Sequence, residues 1–403
     1  MKPVLCVISG SRADYGLLKN VLLPLKKSKL LDSQFIVTGS HLSSRHGNTI
    51  KEIKDDNMQI DAELEILSGD DSSIGIAEAL SRGIDRTAKT LRELNPSMVL
   101  VLGDRYEIFA ASIAAMISNI PISHIHGGEN TEAAIDEAIR HSLTKMSCFH
   151  FVTTKEYRKR VIQLGENPER VFFVGALGLD SVKNTPLLTR KELEKKFGVK
   201  LKKSLLMITY HSVTLEREDN LKNLSEILKA VDNFEDFSLI FTSPNADHDG
   251  GAIKDVIESY VKENNNAHFF SSLGQNGYLS FLKEAECVIG NSSSGIFEAP
   301  YCKVGSVNIG NRQQGRLKPK SVIDVPNNAV KITDAINRAL SIDFKNIIQQ
   351  QENPFGDGDA GERIDSILEN ELNQSNKEFL KKEFFNLTPV SYTHLTLPTI
   401  YSV

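Results

Sequence analysis

Proton-transfer side chains crowd one short stretch of the sequence, IHGGENTEAAIDEAIRH, which runs from Ile125 to His141. The stretch holds two histidines, four carboxylates and one arginine, with a Gly-Gly pair near its start. It follows an apolar run typical of a strand, and the glycines allow the backbone to turn tightly beside a ligand. Groups that give and take protons at one place are what general acid–base catalysis needs. The candidates for this role are His126, Glu129, Asp136 and Glu137.

A helix is expected behind the glycines, over about residues 131–147. Residues four apart touch on one helix face, which predicts that Asp136 pairs with Arg140 and Glu137 with His141. Alternatively, these are surface ion pairs worth under about 1 kcal/mol each. The crowding at a strand end favours the functional interpretation. Helical spacing predicts a core-facing side formed by Ile135, Ile139, Ser142 and Met146.

Two further polar residues follow other strand-like runs. Asp104 comes directly after the run that ends at Gly103 in VLGDRYE, and His211 follows the run in MITYHSVT. In open α/β sheets, ligands bind outside the carboxyl ends of the strands, so both side chains are expected in a cleft. The alternatives are a helix N-cap for Asp104 and a structural role for His211.

Two strand–turn–helix patterns are suited to binding an anion. GSRADYG (10–16) offers backbone N–H groups and the guanidinium of Arg12, with Asp14 as a candidate helix cap. VIGNSSSGIFEAP (288–300) offers three serine hydroxyls for a diphosphate and a carboxylate that could chelate a ribose diol. The alternatives are a surface arginine at a turn and a Ser-rich N-cap loop. The residues selected as substrate-binding are Arg12, Ser292, Ser293, Ser294, Gly295, Glu298 and Arg312, with Arg316 as a further cation.

Apolar strand-like runs alternate with amphipathic helical stretches almost throughout the chain, which predicts an α/β fold with parallel sheets covered on both faces. At 403 residues the chain is too long for one ordinary core. Two doubly wound domains facing each other would leave the ligand cleft between them. The predicted division is residues 1–183 and 184–355 for the two domains, 356–387 for a C-terminal helical segment and 388–403 for a non-native or disordered tail.

Composition excludes several classes of protein. The net charge of −5, with basic residues spread out, argues against a nucleic-acid-binding surface, and no apolar run is long enough to span a membrane. No dinucleotide fingerprint and no metal-ligand spacing is present, so we expect neither cofactor nor metal. The opening residues show no signal-peptide pattern. With four cysteines interpreted as buried thiols, a cytoplasmic protein is expected.

These motifs, in this order, closely resemble the hydrolysing UDP-N-acetylglucosamine (UDP-GlcNAc) 2-epimerases of bacterial sialic acid synthesis. The resemblance runs from about residue 2 to about residue 370. It rests on seven separated motifs, which are GSRADYG, VLGDRYE, HIHGGE, IDEAIRHSLTKMS, QLGE, GNSSSG and NIGNRQQGR.

The resemblance implies a GT-B fold, which is two Rossmann-like domains with the sugar nucleotide in the cleft. It also implies elimination of UDP to a glycal and addition of water, giving N-acetylmannosamine and UDP, and a homodimer or homotetramer. By resemblance, Asp104 and one of the helix carboxylates match catalytic acids of the family. His211 matches an active-site histidine, and Glu298 matches a ribose-binding acid. Many relatives have Glu where this chain has His126, which leaves the base open between Asp136, Glu137 and His126.

Three alternatives follow from the same residues. The same branch includes enzymes acting on UDP-N,N'-diacetylbacillosamine, on the way to legionaminic acid. A glycosyltransferase of the same fold would share the phosphate turn and the ribose-binding acid, but would not need the acid–base cluster. A non-catalytic nucleotide-sugar sensor would not need that cluster either. The motif GSRADYG (10–16) lacks the Thr-Arg-Pro-Glu run of the non-hydrolysing branch of the family. This difference favours an enzyme that releases the free sugar.

Overall fold

The computed structural model of the chain describes residues 2–44, 48–70, 72–130, 135–212, 220–244, 250–374 and 378–387. The predicted tail, residues 388–403, lies outside the described residues. Within the described part of the chain, no helix combines the length and the apolar character that a membrane crossing would need.

The first half of the chain forms a parallel sheet of seven strands in the order β3-β2-β1-β4-β5-β6-β7. Both faces are covered, because alternate residues of one strand belong to different hydrophobic cores. In β1, Leu5 and Val7 belong to the core on one face, and Cys6 and Ile8 belong to the core on the other. The strands are β1 (Val4–Ser9), β2 (Asp32–Thr38), β3 (Ala62–Leu64), β4 (Met98–Leu102), β5 (Ile122–Ile125), β6 (Phe149–Val152) and β7 (Val171–Phe173).

Helices connect these strands and cover both faces of the sheet, as the right-handed crossovers of a parallel sheet require. They are α1 (Arg12–Leu25), α2 (Ile50–Asp55), α3 (Ser73–Leu94), α4 (Tyr106–Ile117), α5 (Ile135–Met146), α6 (Lys155–Gln163) and α7 (Leu177–Asn184).

The second half repeats this architecture with six parallel strands in the order β10-β9-β8-β11-β12-β13. Residues of β8 again alternate between two cores. The strands are β8 (Ser204–Thr209), β9 (Phe237–Thr242), β10 (Ala267–Phe270), β11 (Cys287–Gly290), β12 (Gly305–Ile309) and β13 (Val322–Val325). The helices are α8 (Arg190–Phe197), α9 (Asn220–Val231), α10 (Gly250–Glu263), α11 (Gly274–Glu284), α12 (Glu298–Tyr301), α13 (Ala329–Leu340) and α14 (Ile342–Gln350).

The chain ends by returning to the first half. Helix α15 (Ala360–Asn373) packs against α1, and the close approach requires Gly361, because a Cβ there would overlap the Asn20 carbonyl oxygen. The Asp180 carboxylate on α7 accepts hydrogen bonds from the backbone N–H groups of Ala360 (3.0 Å) and Gly361 (2.7 Å). These bonds satisfy two of the free donors at the start of the helix.

Helix α15 also carries a buried carboxyl group, Asp365, whose two oxygens have no hydrogen-bond partner among the described residues. Burial, together with the charges of Glu369 and Glu362, raises the pKa of Asp365 to about 9. The group is therefore neutral in the folded protein at pH 7. Because the raised pKa favours the folded state at low pH, its contribution to stability is full below about pH 3.8 and is lost as the pH rises towards 9.

Asp365→Asn is therefore expected to stabilise the protein at alkaline pH, because the amide keeps the shape and cannot ionise. The gain in unfolding free energy at pH 8 should exceed the gain at pH 5 by on the order of 2–4 kcal/mol. Urea unfolding of both proteins at each pH measures it. An equal difference at pH 5 and pH 8 would contradict the raised pKa.

The two doubly wound sheets predicted from the sequence are confirmed. A strand lies within a few residues of each apolar run that predicted one, which are 4–9, 35–39, 98–103, 122–127, 151–154, 204–210, 237–243, 267–272, 287–291 and 305–310. Three short strands, β3, β7 and β13, were not predicted. The four cysteines are free and buried, as expected. The prediction for Ile135 is wrong: its side chain is 75% exposed, and Ile139, Arg140, Leu143 and Thr144 form the buried side of α5.

Candidate active site

The selected residues gather at the carboxyl ends of the parallel strands in both halves. Arg12 follows β1, Asp104 follows β4, and His126 follows β5. His211 follows β8 and the serine run follows β11. In each sheet the strand order reverses beside the first strand, between β1 and β4 and between β8 and β11, which is where open α/β sheets bind ligands.

Asp104 forms an ion pair with Arg140, which reaches it from α5. The Arg140 side chain is 7% exposed and that of Asp104 18%. Burial lowers the pKa of Arg140 to about 10, so the guanidinium remains charged at neutral pH. The sequence predicted a different partner for Arg140, namely Asp136 in the same helix. The observed pair places an anchored carboxylate at the strand end.

His124 fixes the backbone immediately before Asp104. Its Nε2 lies 2.7 Å from the carbonyl oxygen of Gly103, which has a φ of +82°. Burial lowers the pKa of His124 to about 3, so the ring is neutral and its Nε2–H donates to the carbonyl. His124 therefore positions Asp104, a role that the sequence did not indicate.

His126 and Glu129 lie on the turn that follows β5. His126 adopts a left-handed φ of +69°, and its backbone N–H donates to the Phe151 carbonyl at 3.0 Å. Its Nδ1 lies 3.8 Å from Glu129 Oε1, and the same carboxylate accepts a hydrogen bond of 2.9 Å from Thr153 Oγ1. Gly128 is needed in this turn, since it has a φ of +78° and a Cβ would crowd the Tyr157 carbonyl. The turn thus holds an imidazole and a carboxylate together.

The remaining candidates of this stretch lie at the start of α5. The predicted pair of Glu137 with His141 is confirmed, with Oε1 and Nε2 3.0 Å apart, and Glu137 Oε2 lies 3.9 Å from Arg140 Nη1. Asp136 is half-buried in the first turn of the helix. Residues 131–134, where the helix was expected to begin, lie outside the described residues.

A second buried polar cluster lies at the ends of β1 and β4. The prediction that Asp14 caps α1 is wrong, because Ser11 is the cap and its hydroxyl accepts from the Asp14 backbone N–H at 3.3 Å. Burial instead raises the pKa of Asp14 to about 6. Arg105 Nη2 donates to Glu107 Oε1 at 2.9 Å, and Arg105 and Glu107 both act on the charge of Asp14. The sequence did not identify Arg105 and Glu107.

Arg12 is exposed and its Nε bonds the Glu52 carboxylate at 2.9 Å. The role of Arg12 in binding a phosphate stays a prediction.

In the second half, Asn291 organises the strand ends. Its side chain exchanges two hydrogen bonds of 2.8 Å with the backbone of His211. Its backbone carbonyl accepts from Arg312 Nη1 at 3.1 Å and from Gln313 Nε2 at 2.9 Å. Gly290 is required beside it, because φ is +133° and a Cβ would overlap the Thr209 carbonyl. The sequence motif contained Asn291, but nothing in the pattern indicated this role.

The serine turn borders a polar cavity of about 450 Å³. Ser292 Oγ accepts from the Ser294 N–H at 3.3 Å, and Tyr278 OH lies 2.5 Å from Ser294 Oγ. The Gly295 carbonyl accepts from Ser306 Oγ at 2.6 Å, which fixes the turn. Ser293 is half-buried in it. Residues that line the cavity include Thr209, His211, Tyr278, Ser292, Ser294 and Glu298.

Among the described residues that line this cavity, Glu298 is the one acidic residue. Burial raises its pKa, and Oε2 has no hydrogen-bond partner among the described residues. A buried polar atom without a partner is costly, so a ligand that donates hydrogen bonds would relieve the cost. A ribose diol offers two such donors.

The two halves meet beside these residues. Leu317 packs against the small hydrophobic cluster of the first half that includes Tyr157 and Val161. The charge of Arg316 contributes to lowering the pKa of Arg140, so the segment after β12 approaches the Asp104–Arg140 pair. The Asp104–Arg140 pair of the first half thus lies close to the segment that follows β12 in the second half.

Comparisons with known proteins identify the family. The sequence profile of the UDP-N-acetylglucosamine 2-epimerase family matches residues 24–369. The chain is 40% identical over 345 residues to the GDP/UDP-N,N'-diacetylbacillosamine 2-epimerase (hydrolyzing) of Campylobacter jejuni, covering 85% of this chain and 89% of that protein. It is 37% identical to polysialic acid biosynthesis protein P7 of Escherichia coli, covering 96% and 98%.

The fold also matches a solved structure, the UDP-GlcNAc 2-epimerase of Neisseria meningitidis bound to UDP-GlcNAc. The TM-score is 0.75 at 21% identity, covering 91% of this chain and 99% of that one. This confirms the GT-B architecture of two Rossmann-like domains expected from the sequence. The chain is therefore an enzyme of the UDP-N-acetylglucosamine 2-epimerase family.

Proposed function

We propose that the enzyme converts UDP-GlcNAc and water into N-acetylmannosamine and UDP. A base removes the proton from carbon 2, and the bond between carbon 1 and the UDP oxygen breaks with its electron pair leaving on UDP. The resulting glycal then takes a water oxygen at carbon 1 and a proton at carbon 2 on the opposite face. Net, one water is consumed and no oxidant or reductant is needed.

The polar cavity of the second domain supports binding of the UDP half. Glu298 offers an unpartnered carboxylate oxygen for the ribose diol. The turn at Ser292–Ser294 offers hydroxyl and N–H donors for the diphosphate, and Arg312 lies beside it on the Asn291 carbonyl. Arg12 is assigned to the same diphosphate from the other domain.

The observation that carries the proposal is the carboxylate of Asp104, which Arg140 anchors at the carboxyl end of β4. We place it in the same cleft as that cavity, because the charge of Arg316 in the second domain acts on Arg140. Arg140 and His124 hold Asp104 in place, and His126 with Glu129 supplies a second proton-transfer group on the neighbouring strand end. An elimination followed by re-addition needs an acid and a base beside one carbon atom. A glycosyltransferase or a sensor would not need this arrangement.

We assign Asp104 and the His126–Glu129 pair to the two proton transfers, with His211 facing them from the second domain. Glu137 is engaged by His141 and lies near Arg140, so we assign it to holding α5 in place. Asp136 is the alternative to the His126–Glu129 pair for removing the proton on carbon 2. The two are distinguished by comparing Asp136→Asn with Glu129→Gln. The variant in which exchange of that proton with solvent is lost has lost the base.

A second substrate is favoured by one observation. The Campylobacter jejuni relative, at 40% identity, is named for N,N'-diacetylbacillosamine. The chemistry at carbons 1 and 2 is the same for both sugars, so the site residues assigned above serve either one. The Escherichia coli relative, named for polysialic acid biosynthesis, supports N-acetylmannosamine as the product and sialic acid synthesis as its use.

Product analysis tests the proposal. The purified enzyme is incubated with UDP-GlcNAc or with UDP-N,N'-diacetylbacillosamine, and UDP and free sugar are quantified by chromatography. Free N-acetylmannosamine and UDP in equal amounts support the proposed reaction, and turnover of the second nucleotide alone supports the second candidate. A sugar still attached to UDP, or a sugar transferred to an added acceptor, would overturn the hydrolysing assignment.

The buried, unpaired thiols fit a reducing compartment, so we place the reaction in the cytoplasm. The expected homodimer or homotetramer stays a prediction, which light scattering of the purified enzyme tests.

A further inference from the structure

The described end of the chain, residues 378–387, lies along the first domain, and we name it the C-terminal strap. Phe379 packs edge-on against Phe149 with ring centroids 5.4 Å apart. The Phe385 N–H donates to the Gly165 carbonyl at 2.9 Å. The Phe384 ring occupies the space where a Cβ at Gly165 would lie. The strap is thus a specifically packed segment of the domain.

Lys382 of the strap binds the end of α5. Its Nζ donates to the carbonyl oxygens of Thr144 at 3.2 Å, Lys145 at 2.8 Å and Ser147 at 2.6 Å. It also forms an ion pair of 2.7 Å with Glu166. A cation at a helix C-terminus satisfies free carbonyls and interacts favourably with the helix dipole. Lys382 therefore fixes the end of α5 opposite the one that carries the acid–base candidates.

Glu166 connects this contact to the sheet. It is 1% exposed and also binds Lys145 at 2.6 Å and His150 Nε2 at 2.9 Å. Burial alone would raise the pKa of Glu166, but the hydrogen bonds from His150, Lys145 and Lys382 hold it at about 2. The carboxylate is therefore ionised at any working pH and depends on its cations.

Glu166 and the residues that it binds (Lys145, His150 and Lys382) form a cluster that is connected to Asp104 in two ways. Through the sheet, His150 on β6 is the register partner of His124 on β5, which holds the Gly103 carbonyl. Through the helix, α5 carries Arg140, which pairs with Asp104. Glu166 and His150 are buried, Lys382 is half-buried, and none of the three is assigned to a contact with substrate.

We propose that Lys382 is a positioning residue of the active site, which ties the C-terminal strap to α5 and so sets the position of Arg140 and Asp104. The proposal rests on the function proposed above, because the reaction defines what Arg140 and Asp104 must be positioned for.

The test compares three variants of the full chain. Lys382→Met is expected to lower kcat about 10- to 100-fold, because small displacements of reacting groups cost factors of this size. KM for the UDP-sugar and the Kd of UDP should stay within about threefold of wild type, because the cavity assigned to UDP lies in the other domain. Lys382→Arg keeps the cation and should recover most of the kcat. Lys381→Met is the matched control, since Lys381 is 78% exposed and its Nζ pairs with the exposed Glu378.

Retention of UDP binding shows that Lys382→Met is folded. A lowered melting temperature with unchanged kcat at 25 °C would overturn the positioning role, and so would an equal loss in Lys381→Met.

Hydrogen–deuterium exchange tests the positioning role of Lys382 independently of the proposed reaction. Faster exchange of the α5 amides in Lys382→Met, and not in Lys381→Met, is expected whatever the substrate is. Wild-type enzyme without turnover would contradict the proposed function alone. Unchanged α5 exchange would overturn the positioning role by itself.

Discussion

Asp104→Asn is expected to lower kcat by about a thousandfold, which is the range of a lost acid–base group. The amide keeps the shape of the side chain and an oxygen that accepts a hydrogen bond from Arg140, but it cannot transfer a proton. The fold should therefore survive while the chemistry fails. Turnover is measured as UDP release, and UDP affinity by titration calorimetry.

The matched control for Asp104→Asn is Asp85→Asn. Asp85 is exposed on α3 and forms an ion pair of 2.7 Å with Lys89, a pair of the surface kind that contributes little. It should leave kcat and UDP affinity unchanged. Near-normal turnover of Asp104→Asn would remove Asp104 from the reaction, and loss of UDP binding together with turnover would indicate a structural role instead.

Glu298→Gln is expected to weaken UDP binding about 10- to 100-fold, since hydrogen bonds to a charged group are worth about 1.5–3 kcal/mol. The glutamine fits the same buried space, but it has no charge and only one oxygen to accept from the ribose diol. The effect should be measured as Kd by calorimetry, with Glu258→Gln as a control, because Glu258 is an exposed residue of α10.

The ribose contact itself is tested with 2′,3′-dideoxy-UDP. This nucleotide lacks both hydroxyls, so wild type and Glu298→Gln should bind it with equal affinity. An equal loss of affinity for UDP and for the dideoxy nucleotide in the variant would show that Glu298 supports the cavity without touching the ribose.

The sequence predicted the strand ends well, and with them much of the candidate site. Continuous apolar runs such as those of β1 and β4 identify buried parallel strands, and a polar residue directly after such a run lies at the cleft edge. That reasoning placed Asp104, His211 and the serine turn correctly at the carboxyl ends. The missed strands β3 and β13 are short and include charged residues, so their pattern is weak.

The partners of these residues were beyond sequence reasoning. Spacing along a helix predicted Asp136 for Arg140, whereas the observed partner, Asp104, lies 36 positions earlier and is brought near by tertiary packing. The sequence pattern did not distinguish His124 from other histidines in strands, because its contact with the Gly103 carbonyl forms only in the folded protein. Lys382 and Glu166 are 216 positions apart and share no local pattern. Local rules therefore identified the candidate side chains at the strand ends and missed the residues that hold them in position.

The most direct test of the proposed reaction is proton NMR of the enzyme with UDP-GlcNAc in heavy water, followed by the same spectrum with UDP-N,N'-diacetylbacillosamine. Elimination and re-addition predict release of UDP and a free sugar that is inverted at carbon 2 and carries deuterium there. A released sugar that keeps its original hydrogen and configuration at carbon 2 would show direct hydrolysis. That result would contradict the roles assigned to Asp104, His126 and Glu129.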